Sequence, residues 1–238
     1  YRLAPTSVVS TAHQLMVSGE SGAIDQWARC INVLWDAEIQ ENLEHELVQP
    51  QLSASVFENL AVQLITHDSA SALATLTSYI EAAQDGSLSN EKKQASARVM
   101  VLHAPLATWT PLLYKVKRDP DWGKELFLSV AYDLERNAAL RLAVAPVAIL
   151  RDLLIWLMEH FPESEDPQHD GGYSPAPRDE MGTVRGLVLR QLTTTGTQES
   201  YQAISGIAAR FPQVEWIGQI LYEAEQKAMA SKWKPLAP

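Results

Sequence analysis

The sequence is poor in cysteine and contains no long apolar run. Its single cysteine, Cys30, excludes an internal disulfide and suits a reducing compartment. The longest uncharged apolar run is LAVAPVAIL at 142–150, far shorter than the roughly 20 residues that span a bilayer. No charged–apolar–small signal-peptide pattern opens the sequence. We therefore expect a cytoplasmic protein that has no membrane partner.

Positive charge is also scarce. There are 19 lysines and arginines against 29 aspartates and glutamates, which gives a net charge of −10 at pH 7. Because nucleic-acid binding usually requires a basic face, we do not expect a nucleic-acid partner. The one basic–aromatic cluster is KVKR at 115–118, flanked by Trp109, Tyr114 and Trp122. We take Trp109 and Trp122 as candidate contacts for a protein partner.

Signatures of nucleotide binding and nucleophilic catalysis are missing. The only Gly-Lys pair, Gly123-Lys124, lacks the earlier glycine and the following serine or threonine of a phosphate-binding loop. GESGA at 19–23 places Ser21 in a near match to a nucleophile elbow, but its second glycine comes one residue early and no strand precedes it. We therefore predict no catalytic residue, no cofactor-binding residue and no enzyme activity in this chain.

Two stretches resemble metal sites incompletely. HELVQ at 45–49 has Gln49 where a zinc-protease helix requires its second histidine. The other stretch carries His160, Glu163, Glu165, Asp166, His169 and Asp170. Prolines and glycines interrupt this second set, whereas metal ligands need a rigid scaffold. We therefore predict no metal site. We interpret 163–177 as a flexible, solvated connector that can serve as a contact loop. Replacement of 164–174 by a Gly/Ser linker of equal length should then leave stability nearly unchanged.

Apolar residues recur with helical spacing along most of the chain, and no convincing period-two pattern bounded by turn residues occurs. The stripes comprise Ile24, Trp27, Ala28, Ile31, Leu34 and Trp35; Val56, Phe57, Leu60, Ala61, Leu64 and Ile65; Leu126, Phe127, Val130, Ala131 and Leu134; and Ile217, Ile220, Leu221 and Ala224. The sequence therefore predicts an all-α protein.

Helix-end signals divide these stripes into roughly eleven or twelve helices. They comprise the N-cap candidates Asp68, Asn90 and Asp119, the prolines Pro111, Pro120 and Pro146, and the C-terminal glycines Gly19, Gly86 and Gly196. A helix pair then recurs about every 40 residues, the period of HEAT and armadillo repeats. TPLLYKVKRDPDWGKELFLSVAYDL at 110–134 resembles one HEAT repeat, with Gly123-Lys124 where that turn usually carries Val-Arg. We predict an irregular HEAT-like α-solenoid.

The last part of the sequence, from the Gly171-Gly172 pair onward, has a distinctive order of features. YSPAPRDE at 173–180 leads into a helix that carries Arg185, TGTQESYQAISGIAARFP follows at 195–212, and a final helix closes on WKPLAP at 233–238. This order resembles the C-terminal helical region of bacterial NACHT-type STAND NTPases and covers under a third of the chain. Tyr173 and Arg178 of its entry segment are two further candidate contacts for a partner.

The resemblance implies a sensor or scaffold region within a larger antiphage defence protein. We expect this chain, which begins at Tyr1, to be a segment of such a protein. That protein would bind ATP on its NACHT module, oligomerise and carry a separate effector. We expect a protein trigger or neighbouring domains of the parent chain as partners. We divide the chain into a HEAT-like region at 1–162, the connector at 163–177 and a terminal helical unit at 178–238.

Two other classes of function remain open from the sequence. A helical enzyme would show a cleft with converging carboxylates or histidines whose pKa values are shifted. A nucleic-acid-binding solenoid would show a concave face enriched in lysine and arginine.

We predict that this chain binds and hydrolyses neither ATP nor GTP. It has no phosphate-binding loop, and its net charge of −10 repels a triphosphate. Titration calorimetry with nucleotide and magnesium should give only heats of dilution. A saturable binding isotherm would contradict the prediction.

Overall fold

The computed structural model describes residues 11, 31–33, 35–82, 90–134, 136, 145–168, 171, 174–214 and 216–232. These residues form helices and no strand, which confirms the all-α prediction. The α-helices are α1 (Ala37–Leu47), α2 (Ala54–Thr66), α3 (Ala70–Glu81), α4 (Asn90–Leu102), α5 (Thr110–Arg118), α6 (Pro120–Ser129), α7 (Val147–His160), α8 (Pro177–Thr195), α9 (Gln198–Arg210) and α10 (Trp216–Lys232). Two short 3₁₀ turns lie at Leu106–Thr108 and Glu163–Glu165.

The chain divides into two compact units, Tyr1–Ala104 and Pro105–Pro238. The sequence predicted no division at that point. The segment 163–177 lies within the second unit, between α7 and α8, which pack against each other. The solenoid arrangement and the role of this segment as a connector stay predictions.

In the first unit, α4 packs against both α2 and α3. The predicted α2 stripe is confirmed, because all six of its residues are buried.

Two lysines in the first turn of α4 bind loop carbonyls. Lys92 Nζ donates to the carbonyls of Gln49 and Pro50 at 3.0 and 3.2 Å, and Lys93 Nζ donates to that of Ala82 at 3.0 Å. Burial lowers the pKa of Lys92 below its ordinary value. Of the predicted stripe at 24–35, residues 24–30 and 34 lie outside the described residues, and Ile31 is buried.

In the second unit, α7 packs against α5, α8 and α9. Its Trp156 is only 1% exposed. The ring lies 5.0 Å from that of Phe127 and 5.8 Å from that of Phe161, between centroids. Its indole Nε1–H donates to the carbonyl of Val116 at 3.2 Å, so the one polar atom of this side chain is satisfied. The predicted stripe over 126–134 is buried in the same unit.

Several of the predicted helix ends are confirmed. Gly19 and Gly86 lie outside the described residues, and Asn90 is the first residue of α4. Asp119 Oδ1 accepts from the N–H of Trp122 at the start of α6, and Gly196 ends α8 with φ +63°. Helices α5 and α7 begin beside Pro111 and Pro146. The prediction that Asp68 caps α3 is wrong by one residue. Ser69 accepts from Ala72 N–H as the cap, and Asp68 takes φ +58° in the preceding turn, a conformation that aspartate tolerates better than most residues.

None of the described helices combines the length and the apolar character that crossing a membrane requires.

Gly123 lies inside α6, at a position where the neighbouring side chains leave no room for a larger residue. A Cβ atom at this position would lie 2.7 Å from Trp156 Cζ2 and 3.0 Å from Val116 Cβ. The pair Gly123-Lys124 therefore lies inside a packed helix, and Gly123 serves the close approach of α6 to Trp156. This geometry does not fit a phosphate-binding loop.

We predict that Gly123→Ala destabilises the protein by about 1–3 kcal/mol, because the added methyl group overpacks the contact with Trp156. Gly186→Ala is the matched control. It also lies within a helix, and apart from the backbone of its own helix and its chain neighbours no atom lies within 4 Å of its Cβ position. The variant should gain up to about 1 kcal/mol from helix propensity. Urea denaturation of both variants provides the measurement. An unchanged or raised midpoint for Gly123→Ala would refute the close contact.

Candidate functional site

Trp109, one of the predicted partner contacts, lies in the core. It is 1% exposed, and its ring centroid is 6.5 Å from that of Phe127. A buried indole cannot reach a partner, so this prediction is wrong. The sequence showed the tryptophan beside a basic cluster, but it did not show that the chain turns Trp109 inward before α5 begins.

The basic cluster at 115–118 does not form a separate cationic patch. Lys115 Nζ binds Asp119 at 2.8 Å and lies 5.4 Å from the centroid of the Trp122 ring. Lys117 Nζ binds Asp152 at 2.8 Å. Acidic partners thus offset two of its three cations, which removes the main reason to consider a nucleic-acid surface here. Trp122 is half-buried, and its assignment as a partner contact stays a prediction.

Of the two candidates near the start of α8, Tyr173 lies outside the described residues. Arg178 binds within its own chain. Its guanidinium donates at 2.7 Å both to Asp166 Oδ1 and to the carbonyl of Pro162. The structure therefore assigns Arg178 a role in holding the turn at 162–166, and its role as a partner contact stays a prediction.

Asp166 anchors this turn to α8 through a second arginine. Arg185 is buried, and it donates to Asp166 Oδ2 and to the carbonyl of Phe161, both at 2.5 Å. A carboxylate that pairs with a buried guanidinium is not a solvated linker residue, so the sequence interpretation fails at Asp166. The neighbouring Glu165 is exposed, as predicted.

The same turn borders a small pocket of about 350 Å³. Met158, Phe211, Val214 and Trp216 provide its apolar lining, and Arg185 contributes to its wall. Glu163 accepts a hydrogen bond of 2.5 Å from Trp216 Nε1–H, which links two of the lining residues.

The incomplete metal motif at 45–49 stays incomplete in the structure. Gln49 Nε2 donates to the backbone carbonyl of His45 at 3.2 Å, as expected of residues one helical turn apart. Among the described residues, no three histidine, cysteine, aspartate or glutamate side chains are arranged to hold a metal ion. Ser21, Cys30, His169 and Asp170 lie outside these residues.

The most distinctive arrangement of charged side chains is a cleft of about 490 Å³ in the second unit, which we call the charged cleft. Helices α5, α7 and α9 supply its lining, and α7 supplies most of it. The residues are Lys117, Arg151, Asp152, Ile155, Trp156, Glu159, His160 and Arg210. Asp152 pairs with both Lys117 and Arg151 at 2.8 Å, and Glu159 pairs with Arg210.

Two groups in the charged cleft have shifted pKa values. Burial raises the pKa of the Asp152 carboxyl, but the hydrogen bonds from Lys117 and Arg151 outweigh burial and hold the pKa below its ordinary value. Burial also lowers the pKa of His160 below its ordinary value. The charge of Lys124 adds to that effect, whereas Glu159 and Asp121 oppose it.

The shift at Asp152 argues against acid–base chemistry by that residue. An aspartate whose pKa lies below its ordinary value is a weak base, and one paired with two cations is not poised to take a proton near pH 7. The shift at His160 has burial as its main cause, and the imidazole lies against the Trp156 ring with 4.9 Å between centroids. The cleft therefore presents fixed charges that can recognise a complementary group.

Sequence reasoning did not identify the charged cleft. Asp152 and Glu159 are seven residues apart, so a helical projection places both on one face of α7. Their partners Lys117 and Arg210 are 35 and 51 residues away along the chain, and no local pattern connects them.

Comparison of the chain with models of known families, with curated proteins and with solved structures finds no match.

We predict that Asp166→Ala destabilises the protein by about 3 kcal/mol, because it leaves the buried Arg185 guanidinium without its carboxylate. Glu165→Ala, one residue away and exposed, is the matched control and should change the stability by less than about 0.5 kcal/mol. Denaturant titrations of the two variants provide the measurement. Equal midpoints would restore the solvated-linker interpretation of this turn.

Proposed function

We propose that this chain is the helical sensor or scaffold region of a larger bacterial NACHT-type NTPase that acts in antiphage defence. The order of features from 171 to 238 supports the family assignment, and the all-helical structure is compatible with it. The HEAT-like solenoid belongs to the same proposal. Under this proposal, the parent protein binds ATP on its own NACHT module and oligomerises, and this region recognises a protein trigger.

The charged cleft is the observation that supports a role in recognising a partner. Its ion-pairing side chains are between 30% and 55% exposed, so a partner can reach them. They come from α5, α7 and α9, and α7 packs against each of the other two, which fixes their relative positions. Fixed charges of both signs select a partner by complementarity, which contributes specificity more than raw affinity.

Binding is also better supported than catalysis at this site. A helical enzyme would need a group in the cleft that is poised to exchange a proton. Asp152 is instead paired with Lys117 and Arg151, and its pKa lies below its ordinary value. Both carboxylates of the cleft are bound in ion pairs, and we propose that the segment itself performs no catalysis.

Phage challenge of cells that carry the complete parent protein tests this function. In the complete protein, Arg151→Glu combined with Arg210→Glu should abolish protection, because both changes reverse charge in the cleft. ATP hydrolysis by the NACHT module and the melting temperature of this segment should persist. Arg118→Glu is the matched control. Arg118 lies on α5 beside Lys117, is exposed and does not line the cleft, so its reversal should leave protection intact.

Either of two results would contradict the proposed function. One is full protection by the doubly reversed variant. The other is a complete protein that binds no nucleotide.

A further inference from the structure

The charged cleft contains more positive than negative charge. Lys117, Arg151 and Arg210 face the carboxylates of Asp152 and Glu159, which leaves one cation in excess. This excess stands out in a chain whose net charge is −10. His160 also lines the cleft, where burial lowers its pKa and favours the neutral imidazole at pH 7.

The excess positive charge lies at one end of the charged cleft. Arg210 and Glu159 form a one-to-one pair, whereas Lys117 and Arg151 share Asp152. Arg151 directs Nε and one Nη to a single oxygen, Asp152 Oδ1, at 2.9 and 2.8 Å, and Lys117 takes Oδ2. A guanidinium has five N–H donors and an ammonium has three, so both cations retain capacity for a second acceptor. Their side chains are 46% and 47% exposed.

We propose that the charged cleft binds an acidic segment of a protein partner and that Lys117 and Arg151 together hold one of its carboxylates beside Asp152. This inference rests on the proposed function, for which it names the chemistry of the partner. The incoming carboxylate completes a cluster of two cations and two anions at this end of the cleft. Ile155, one turn after Arg151 on α7, provides apolar surface beside it.

The arrangement fits a peptide carboxylate better than a nucleic acid. Binding of a phosphate backbone draws on several lysines and arginines at once, and its strength grows with the number of phosphates neutralised. Here the excess is a single cation. Asp152 and Glu159 line the same cleft and would repel a continuous row of phosphates. An acidic protein segment can instead place one carboxylate at Lys117 and Arg151 and neutral groups elsewhere.

Fluorescence anisotropy with a labelled nonapeptide of glutamate, glycine and leucine residues tests the proposal. The same peptide with glutamine in place of each glutamate controls for the backbone and leucine contacts. The glutamate peptide should bind the chain, and the glutamine peptide should bind at least about tenfold more weakly, the size expected for losing a charge-assisted hydrogen bond.

Three variants locate the binding site. Lys117→Gln combined with Arg151→Gln should weaken binding of the glutamate peptide at least about tenfold. Arg118→Gln should leave affinity unchanged, because it removes the same charge one residue from Lys117 but outside the cleft. Asp152→Asn should strengthen binding, because it removes the carboxylate that competes for Lys117 and Arg151. A purely structural role of Asp152 predicts the opposite sign, and melting curves confirm that each variant is folded.

Several outcomes would overturn the proposal. These are equal binding of the two peptides, no effect of the double glutamine variant, and weaker binding by a folded Asp152→Asn variant. Inorganic phosphate or a single-stranded oligonucleotide can instead be tested in the same assay. If either binds more tightly than the glutamate peptide, with the same dependence on Lys117 and Arg151, the cleft recognises a phosphate and not a carboxylate.

The peptide assay and the phage challenge fail independently. If the acidic peptide does not bind but the cleft reversal still abolishes protection, the cleft recognises another chemistry and the proposed function stands. If the peptide binds as expected but the reversal leaves protection intact, the carboxylate site is real and the proposed function is wrong.

Discussion

The burial of Trp156 is the constraint on which the second unit depends. Its ring lies against Phe127 and beside Gly123, where a side chain would collide with it, and its indole N–H binds the carbonyl of Val116. These contacts fix α7 against both α5 and α6. Lys117 directly follows Val116, and Asp152 lies one turn before Trp156 on α7, so the contact that fills the core also brings these two charges together. The charged cleft is thus a consequence of the packing beneath it.

Two aspartates in this unit each bind two cations, with different consequences. Asp166 joins Arg178 to the buried Arg185, and the side chain of Arg185 is 8% exposed. Removing that carboxylate would leave a buried charge unpaired, so Asp166 serves stability. Asp152 joins Lys117 and Arg151, which are nearly half exposed. Ion pairs at such exposure contribute little to stability, and the unshared capacity of their cations is available to a partner.

The sequence predicted the features that arise from local patterns. Helical spacing identified the buried faces of α2 and of residues 126–134, and side-chain chemistry placed the cap at Asp119. The predictions failed where residues far apart in the sequence determine the environment of a side chain. Trp109 is buried by a fold that its neighbours in sequence do not reveal, and Asp166 is held by an arginine 19 residues away. The charged cleft was missed for the same reason, because α5, α7 and α9 meet only in the folded chain.

Recognition of a carboxylate by the charged cleft can be observed residue by residue. Its most direct test is a map of backbone amide chemical shifts in the isotope-labelled chain during titration with the acidic peptide. We expect saturable shifts concentrated around Lys117 and along α7 from Arg151 to His160, with smaller changes near Arg210 and none in the first unit. Shifts centred on the pocket beside Glu163 and Trp216, or on the first unit, would contradict it.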